Sequence, residues 1–431
     1  MDRITFSATD CNTNETISVW LASVLQFALN IGFFKPFETF KLNMKEIRYT
    51  VTQKLFTLIA SIIMGCEYTK DINEILGPEN LAANMLSMER FPDQSQINRL
   101  LTRTDEESVT QLRDIHNQLF TEHSHSIHSP EPVVIDIDQS GLSASGKTYE
   151  FASKGYFPNK AGKKGYQMSV AFAGEHSEIV DLYLDPGNTH CQYRFEDLLS
   201  SITSKYTEHL KAGKLIVRLD SGYGSAENIE KLRSIKGLKF IVKGYSTKTA
   251  ANIARGVPLS AYTQVSDGAW VYELPQVEGG VRVMLVQFLG KYGDLTYTLL
   301  YTNISRKKLS AEEAFHFYND RQTIEAFFKM AKNTYGIKNL RTSKFYGIYT
   351  FLWMVAMAHN LITWFKVIKL DSTELKKAGV KTLVKECSRI KGFVERTVEG
   401  MQVIIPPLSK LAKLLIEALS KPKYVQLSFL F

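Results

Sequence analysis

Three acidic residues in this chain stand where carboxylates do chemistry. Asp138 follows the β-branched run Val133-Val134-Ile135-Asp136-Ile137, and Asp220 follows Leu215-Ile216-Val217-Arg218-Leu219. Each precedes a small polar turn, Gln139-Ser140-Gly141 in one case and Ser221-Gly222 in the other. Ligand-binding groups of open α/β sheets collect beyond the carboxyl ends of strands, so both acids are expected to face one crevice. A single acid after a strand reads as a turn or helix cap; two on neighbouring strands with a third on a facing helix read as a site. The third is Glu325. On one helix advancing about 100° per residue, Tyr318, Arg321, Glu325 and Lys332 fall within an arc of roughly 60°. The adjoining stripe Phe317, Ile324, Phe328 and Ala331 would seat that helix on the sheet. Three carboxylates without Cys or His suit hard cations such as Mg²⁺ or Mn²⁺ rather than zinc. Two such ions about 4 Å apart support in-line displacement at phosphorus. Tyr318, Arg321 and Lys332 then read as phosphate contacts.

The elements that must position these groups follow from the hydropathy pattern. Strands are expected at 133–138, 165–172, 179–184, 215–220 and 240–242, with helices near 194–206 and after Asp220, which makes an α/β domain with a mixed sheet. Residues 244–303 return to strands without helices, a β-rich insertion. A helix from Ser310 to about Asn333 carries Glu325. Upstream, residues 14–125 have helical periodicity. Pro92-Asp93 starts a helix that would present Gln94, Gln96, Asn98 and Arg99 outward, as in a helix-turn-helix unit, with Arg99 as a DNA contact. A helical packing domain with a solvated face is the alternative. Residues 121–131 read as a linker whose His123, His125 and His128 lack a Cys or carboxylate to complete a zinc set. Domains are expected at 1–130 (helical, DNA-binding), 131–243 and 310–365 (catalytic, in two parts), 244–309 (β-rich insertion) and 366–431 (basic, helical).

Composition narrows the class. The chain has 431 residues, 44% apolar and 22% charged, with a net charge of +8, which excludes wholesale disorder and fibrous architectures. Nearly all the excess, +7, lies between Lys366 and Phe431, favouring a polyanionic partner. Lys160, Lys163 and Lys164 flank one loop, and Lys376, Lys377, Lys381, Lys385, Arg389 and Lys391 are expected to line a C-terminal helix. Together they fit a phosphate-tracking surface. Cys11, Cys66, Cys191 and Cys387 form no CxxC pair, as expected in a reducing cytosol. No signal peptide is expected. The apolar stretches 17–34 and 345–365 read as buried core helices rather than membrane spans, because polar groups interrupt both. A cytoplasmic protein with no membrane partner is expected.

Tyr318-x2-Arg321-x3-Glu325-x6-Lys332 matches the Y-R-E-K signature, and the chain resembles bacterial insertion-sequence DDE transposases. Ile135–Ser140 looks like their first-Asp strand and Leu219–Tyr223 like their second. Pro186-Gly187-Asn188-Thr189-His190 resembles the turn between those strands, and Ala358-His359-Asn360-Leu361 the helix after the signature. The resemblance implies an RNase H-like catalytic domain with a β-rich insertion. It also implies Mg²⁺-dependent cleavage of transposon ends (Mn²⁺ able to substitute, two ions per site) and transfer of the 3′ ends to target DNA. A homodimer on double-stranded DNA, acting at the bacterial nucleoid, is implied as well. By the same likeness Asp138, Asp220 and Glu325 hold the metals, Tyr318, Arg321 and Lys332 grip end phosphates, and Trp270 in the insertion holds a flipped base. The chain departs from the family at Gln139, where a small or hydroxylic residue is usual. Asp136 shares the strand face of Asp138, so either could be the first ligand. A DNA-binding protein without catalysis and a structure-selective nuclease are the competing readings. A glycosidase using Asp138 and Glu325 is disfavoured by the Arg and Lys nearby.

Overall fold

The computed structural model describes residues 3–7 and 16–420, apart from 147, 156, 158–161, 276–278 and 399. Cys11, Lys160 and the basic end beyond residue 420 therefore lie outside the described residues. The chain divides into two compact units, one of Met1–Ser124, Gly146–Phe151 and Lys329–Phe431, the other of His125–Ser145 and Ala152–Phe328.

The second unit is built on a ten-stranded mixed sheet. Its order is Ser153–Lys154, Lys164–Ala173, Val133–Ala144, Leu215–Leu219, Lys239–Lys243, Leu295–Thr302, Arg282–Leu289, Ala269–Glu273 and Thr263–Ser266, with Glu178–Pro186 also paired to Lys164–Ala173. The Asp138 strand, Val133–Ala144, runs antiparallel to Lys164–Ala173 and parallel to the Asp220 strand, Leu215–Leu219. That strand is in turn parallel to Lys239–Lys243. The runs Val133–Ile137 and Leu215–Leu219 are apolar on both faces, as strands covered on both sides must be. The exceptions are Asp136 and Arg218, which are register partners. The β-rich segment joins the same sheet, because Leu295–Thr302 pairs antiparallel with Lys239–Lys243.

Four expectations need correction. Asp138 does not end its strand. Residues 139–144 continue it by pairing with 164–169, and only the parallel ladder to the Asp220 strand stops at Ile137. The segment 244–303 is not free of helix. Thr247–Ala254 is helical, capped by Ser246 on Thr249 N, with Ala250 buried against Leu285 and Leu299. Residues 121–131 are no solvated linker. The helix Glu106–His123 takes the first three, and the buried Glu178 carboxylate accepts from His125 N, Ser126 N and Ser126 Oγ.

The fourth correction concerns the helix of Glu325, which is two helices, Ala311–Asn319 and Gln322–Thr334. In a continuous helix the Arg321 amide would bond the Phe317 carbonyl. Arg218 Nη1 takes that carbonyl at 2.5 Å, so Arg321 N turns to Tyr318 O, three residues back. The tightened turn rephases the second helix. Ile324, Phe327, Phe328 and Ala331 still form its buried stripe, and Phe327 stacks on Phe172.

The first unit surrounds the helix Phe345–Lys369 with Val19–Asn30, Val51–Ile63, Gln94–Arg103 and Glu106–His123. Phe345–Lys369 is long and apolar enough to cross a membrane, and 83% of its apolar window is buried inside the protein, as a core helix requires. Trp20 shows the packing: its ring meets Phe365 edge-on and its indole N–H donates to Ile63 O. The C-terminal region is not wholly helical. Lys391–Thr397 and Gly400–Ile404 form a sheet with Arg3–Ser7 and Thr16–Ser18. Val394 and Val403 are buried, and a side chain at Gly392 would come within 2.5 Å of Val403. The basic residues expected on one helix are spread over the turn Glu374–Lys377, the short helix Val380–Lys385, the turn Cys387–Arg389 and the strand start at Lys391.

Candidate active site

The parallel ladder sets the site. Its last register pair is Ile137 with Leu219, so the next residue on each strand is an acid, Asp138 beside Asp220. Asp220 is fixed by the turn that follows, its Oδ1 accepting from Gly222 N at 2.9 Å. Asp138 Oδ1 accepts from Gln139 N at 2.8 Å. Arg321, at the break between the two helices, reaches both remaining parts of the site: Nη2 lies 2.8 Å from Asp138 Oδ2, and Nη1 donates to Glu325 Oε1 at 3.3 Å. Arg321 and Asp138 have little exposed side chain, 8% and 15%, whereas Glu325 has 63%.

Burial and the neighbouring Asp220 push the Asp138 carboxyl up to about 6, even with Arg321 opposing them. Arg321 is itself desolvated, yet Asp138 and Asp220 hold its guanidinium more firmly charged than usual. Burial raises the Tyr318 hydroxyl, so it remains a phenol and a hydrogen-bond donor at neutral pH. Cys191 lies against the Asp220 turn, where a side chain at Gly222 would meet its sulfur at 2.6 Å. Burial and Asp220 push its thiol up to about 12, which leaves it a neutral, non-nucleophilic wall.

The Asp138 shift has a sign that can be measured. Its folded-state value, about 6, lies above the ordinary aspartate value of 3.8, so the folded chain holds the proton more tightly than the unfolded chain. This contribution is present below about pH 4 and is lost as pH rises through about 6. Asp138→Asn is therefore expected to stabilise the divalent-free protein at pH 8 by up to about 3 kcal/mol. The gain disappears below about pH 4. Denaturant melts of both proteins across this range check it; an Asn variant less stable than wild type at pH 8 would overturn it.

The predicted residues fall into groups. Asp138, Asp220, Arg321 and Glu325 come together. Tyr318 is half-buried, packs on the core formed by Phe315, Ala314 and Ile241, and lies close enough to Arg321, Asp220, Asp138 and Glu325 for their charges to act on its hydroxyl. Lys332 follows Glu325 by two turns on the same helix and is half-buried. Arg321 is not a surface phosphate contact here, being enclosed among the acids. Trp270 is not brought to the acids. Its strand lies five positions from the Asp138 strand, about 24 Å at 4.8 Å per strand. Its ring lies on the face opposite the buried Ala269 and Val271. Arg99 is exposed on Gln94–Arg103, a helix capped by Asp93 and seated by Ile97, Leu100 and Leu101. Lys163 and Lys164 are exposed at the start of their strand.

Asp136 is not available in the way Asp138 is. It is fully buried, with Oδ1 2.6 Å from Arg218 Nε and Oδ2 2.9 Å from Arg218 Nη2. Thr323 Oγ1 donates to the same Oδ2 at 3.1 Å. Reading the sequence missed Arg218, Thr323 and Gly174 as members of this region. The available signal was an Arg inside an apolar strand, in the same phase as an Asp inside its neighbour.

The donor set is all oxygen, which suits a hard divalent cation, and the Arg321 guanidinium stands between Asp138 and Glu325 as a cation would. Among the described residues no three His, Cys, Asp or Glu side chains converge closely enough to share one ion. Glu325 is linked to Asp138 through Arg321.

A mixed sheet with two acids side by side where a parallel ladder ends, and a helix glutamate nearby, is a frame for phosphoryl-transfer chemistry. Residues 37–422 match the family described as transposase DDE domain group 1, and the chain belongs to that family: it is a DNA transposase. No curated protein sequence matches it. Among solved structures it is similar to the piggyBac transposase in a cryo-EM structure of its synaptic complex with hairpin DNA. The identity is 14% and the TM-score 0.46, over 87% of this chain and 80% of that one.

Proposed function

We propose that the chain cuts transposon ends and transfers the freed 3′ ends to target DNA, with Asp138, Asp220 and Glu325 as the metal-holding acids. The carrying observation is the ladder ending at Ile137 and Leu219, which leaves Asp138 and Asp220 adjacent, with Arg321 joining Asp138 to Glu325. Asp138 and Asp220 would hold Mg²⁺, with Mn²⁺ able to substitute, and Glu325 would complete a two-ion set once it exchanges Arg321 for metal; such ions would supply activation of the attacking oxygen and neutralisation of charge at phosphorus. The chain's own groups do the rest. Asp138 and Asp220 present oxygens from rigid strand positions. Glu325 enters from an exposed helix edge, and the Tyr318 phenol offers a donor to a phosphate oxygen. Lys332, Lys163, Lys164 and Arg99 would each contact the DNA backbone.

The strand order, with the Asp138 strand antiparallel to Lys164–Ala173 and parallel to Leu215–Leu219, supports an RNase H-like core. The broken helix keeps the Y-R-E-K residues, which supports the bacterial insertion-sequence group. The same reading makes it a bacterial cytoplasmic protein that works on double-stranded DNA as a homodimer.

The test uses a supercoiled plasmid carrying the coding sequence with its native flanking DNA. Incubated with purified protein and Mg²⁺, it is expected to be nicked at the two ends bracketing the gene, with end-joined products. Binding in gel shift without nicking in Mg²⁺ or Mn²⁺ would make the chain a silent DNA-binding protein, and cleavage without joining a nuclease.

A further inference from the structure

Beneath Asp138 and Asp220 lies a second polar pair in the same strand phase, and a threonine from the Glu325 helix joins it. Asp136 precedes Asp138 by two residues, Arg218 precedes Asp220 by two, and Thr323 precedes Glu325 by two. The three are bonded to one another. Arg218 holds both Asp136 oxygens, and Thr323 Oγ1 donates to Asp136 Oδ2. Residues two apart on a strand share a face, so the Asp136–Arg218 pair sits one pleat below the Asp138–Asp220 pair.

Arg218 extends the set to the helices by taking the Phe317 carbonyl, the contact that breaks the helix and turns Arg321 toward the acids. The chain leaves room for the arrangement at Gly174. A Cβ there would come 2.5 Å from Thr323 Oγ1 and 3.2 Å from Asp136 Oδ2, so any larger residue displaces the threonine.

We propose that Asp136, Arg218 and Thr323 are positioning residues that set the spacing of the three carboxylates. Asp138 and Asp220 are each fixed through the residue beneath them, and the Thr323–Asp136 bond acts with Arg321 and the buried stripe in seating the helix of Glu325. The inference rests on the site reading given above. Losing that bond leaves Asp138 and Asp220 adjacent and loosens the start of the Glu325 helix against the sheet, with Arg321 and the buried stripe still holding it.

Removing either partner of the buried ion pair can unfold the unit, so the test uses Thr323→Val, which keeps the side-chain shape and removes only the hydroxyl. Full-length wild type, Thr323→Val, Thr323→Ser, Gly174→Ala and Asp220→Asn are compared by thermal melting. Binding of Mn²⁺ alone is followed by EPR of the unbound ion, and plasmid nicking is measured against Mg²⁺ concentration. Thr323→Val is expected to melt like wild type, to bind Mn²⁺ about tenfold more weakly and to need correspondingly more Mg²⁺ for nicking. Gly174→Ala should follow it, and Thr323→Ser should return to wild-type values. Wild-type Mn²⁺ binding by Thr323→Val, or failure of serine to restore it, overturns the proposal. Asp220→Asn separates the two readings. If it binds Mn²⁺ and nicks as wild type does, the site assignment falls. If it is inactive while Thr323→Val is unchanged, only the positioning role falls.

Discussion

Asp138→Asn, Asp220→Asn and Glu325→Gln are each expected to lower plasmid nicking by about a thousandfold or more, which corresponds to about 4 kcal/mol in the barrier. The amides keep shape and hydrogen bonding but remove the negative charge that a hard cation needs. The three variants should differ in stability while sharing the catalytic loss. Asp138→Asn relieves a desolvated carboxylate beside Asp220. Asp220→Asn keeps an oxygen able to accept from Gly222 N. Glu325→Gln changes an exposed side chain. Nicking rates at saturating Mg²⁺ and melting curves from the same preparations check this. Amide variants that nick at the wild-type rate would remove these residues from the site.

The second large effect is expected at Arg321. Its guanidinium lies between Asp138 and Glu325, close enough to Asp220 to be held charged by it, and is almost wholly buried. Arg321→Met leaves Asp138 and Asp220 adjacent without a counter-charge. The divalent-free protein is then expected to lose about 3 kcal/mol of stability at pH 8. Without its nearest opposing charge, the Asp138 carboxyl moves further up, so the loss shrinks as pH falls and that proton binds. Adding Mn²⁺ should recover much of the loss, since a cation bound by the native state adds its binding free energy to folding. Nicking should fall by about 10²–10³-fold, the scale for removing a preorganised charge from a phosphoryl-transfer site. Arg321→Lys keeps the charge but not the two-pronged reach, and should restore stability more fully than activity. Melts at pH 8 and pH 5, with and without Mn²⁺, test the assignment. An Arg321→Met protein as stable as wild type without divalent ions would show that the guanidinium is no counter-charge.

How much of this was legible before folding depends on the range of the interaction. The strands around Asp138 and Asp220 were readable because a buried parallel strand is an unbroken apolar run, and both acids stand at the ends of such runs. The buried face of Gln322–Thr334 was readable from its period. The core helix Phe345–Lys369 was readable because its polar residues are few and internal. Local patterns failed where a distant group overrode them. The helix before Glu325 looked continuous, since nothing between Ser310 and Asn333 is a helix breaker. Its break comes from Arg218, 99 residues away from Phe317 in sequence. The helix Thr247–Ala254 escaped notice because only Ala250 is buried in it, too little for a period to show.

By itself the chain determined an α/β frame, the two aspartates at the ends of apolar runs, the buried face of the glutamate helix and a basic C-terminal region, because these depend on neighbouring residues and composition. The tertiary structure decided which acids face one another and that Asp136 is tied to Arg218 rather than free. It also decided that Arg321 sits among the carboxylates and that Trp270 lies strands away. Those outcomes turn on strand register and on pairing between residues tens of positions apart, where a shift of one residue sends a side chain to the opposite face.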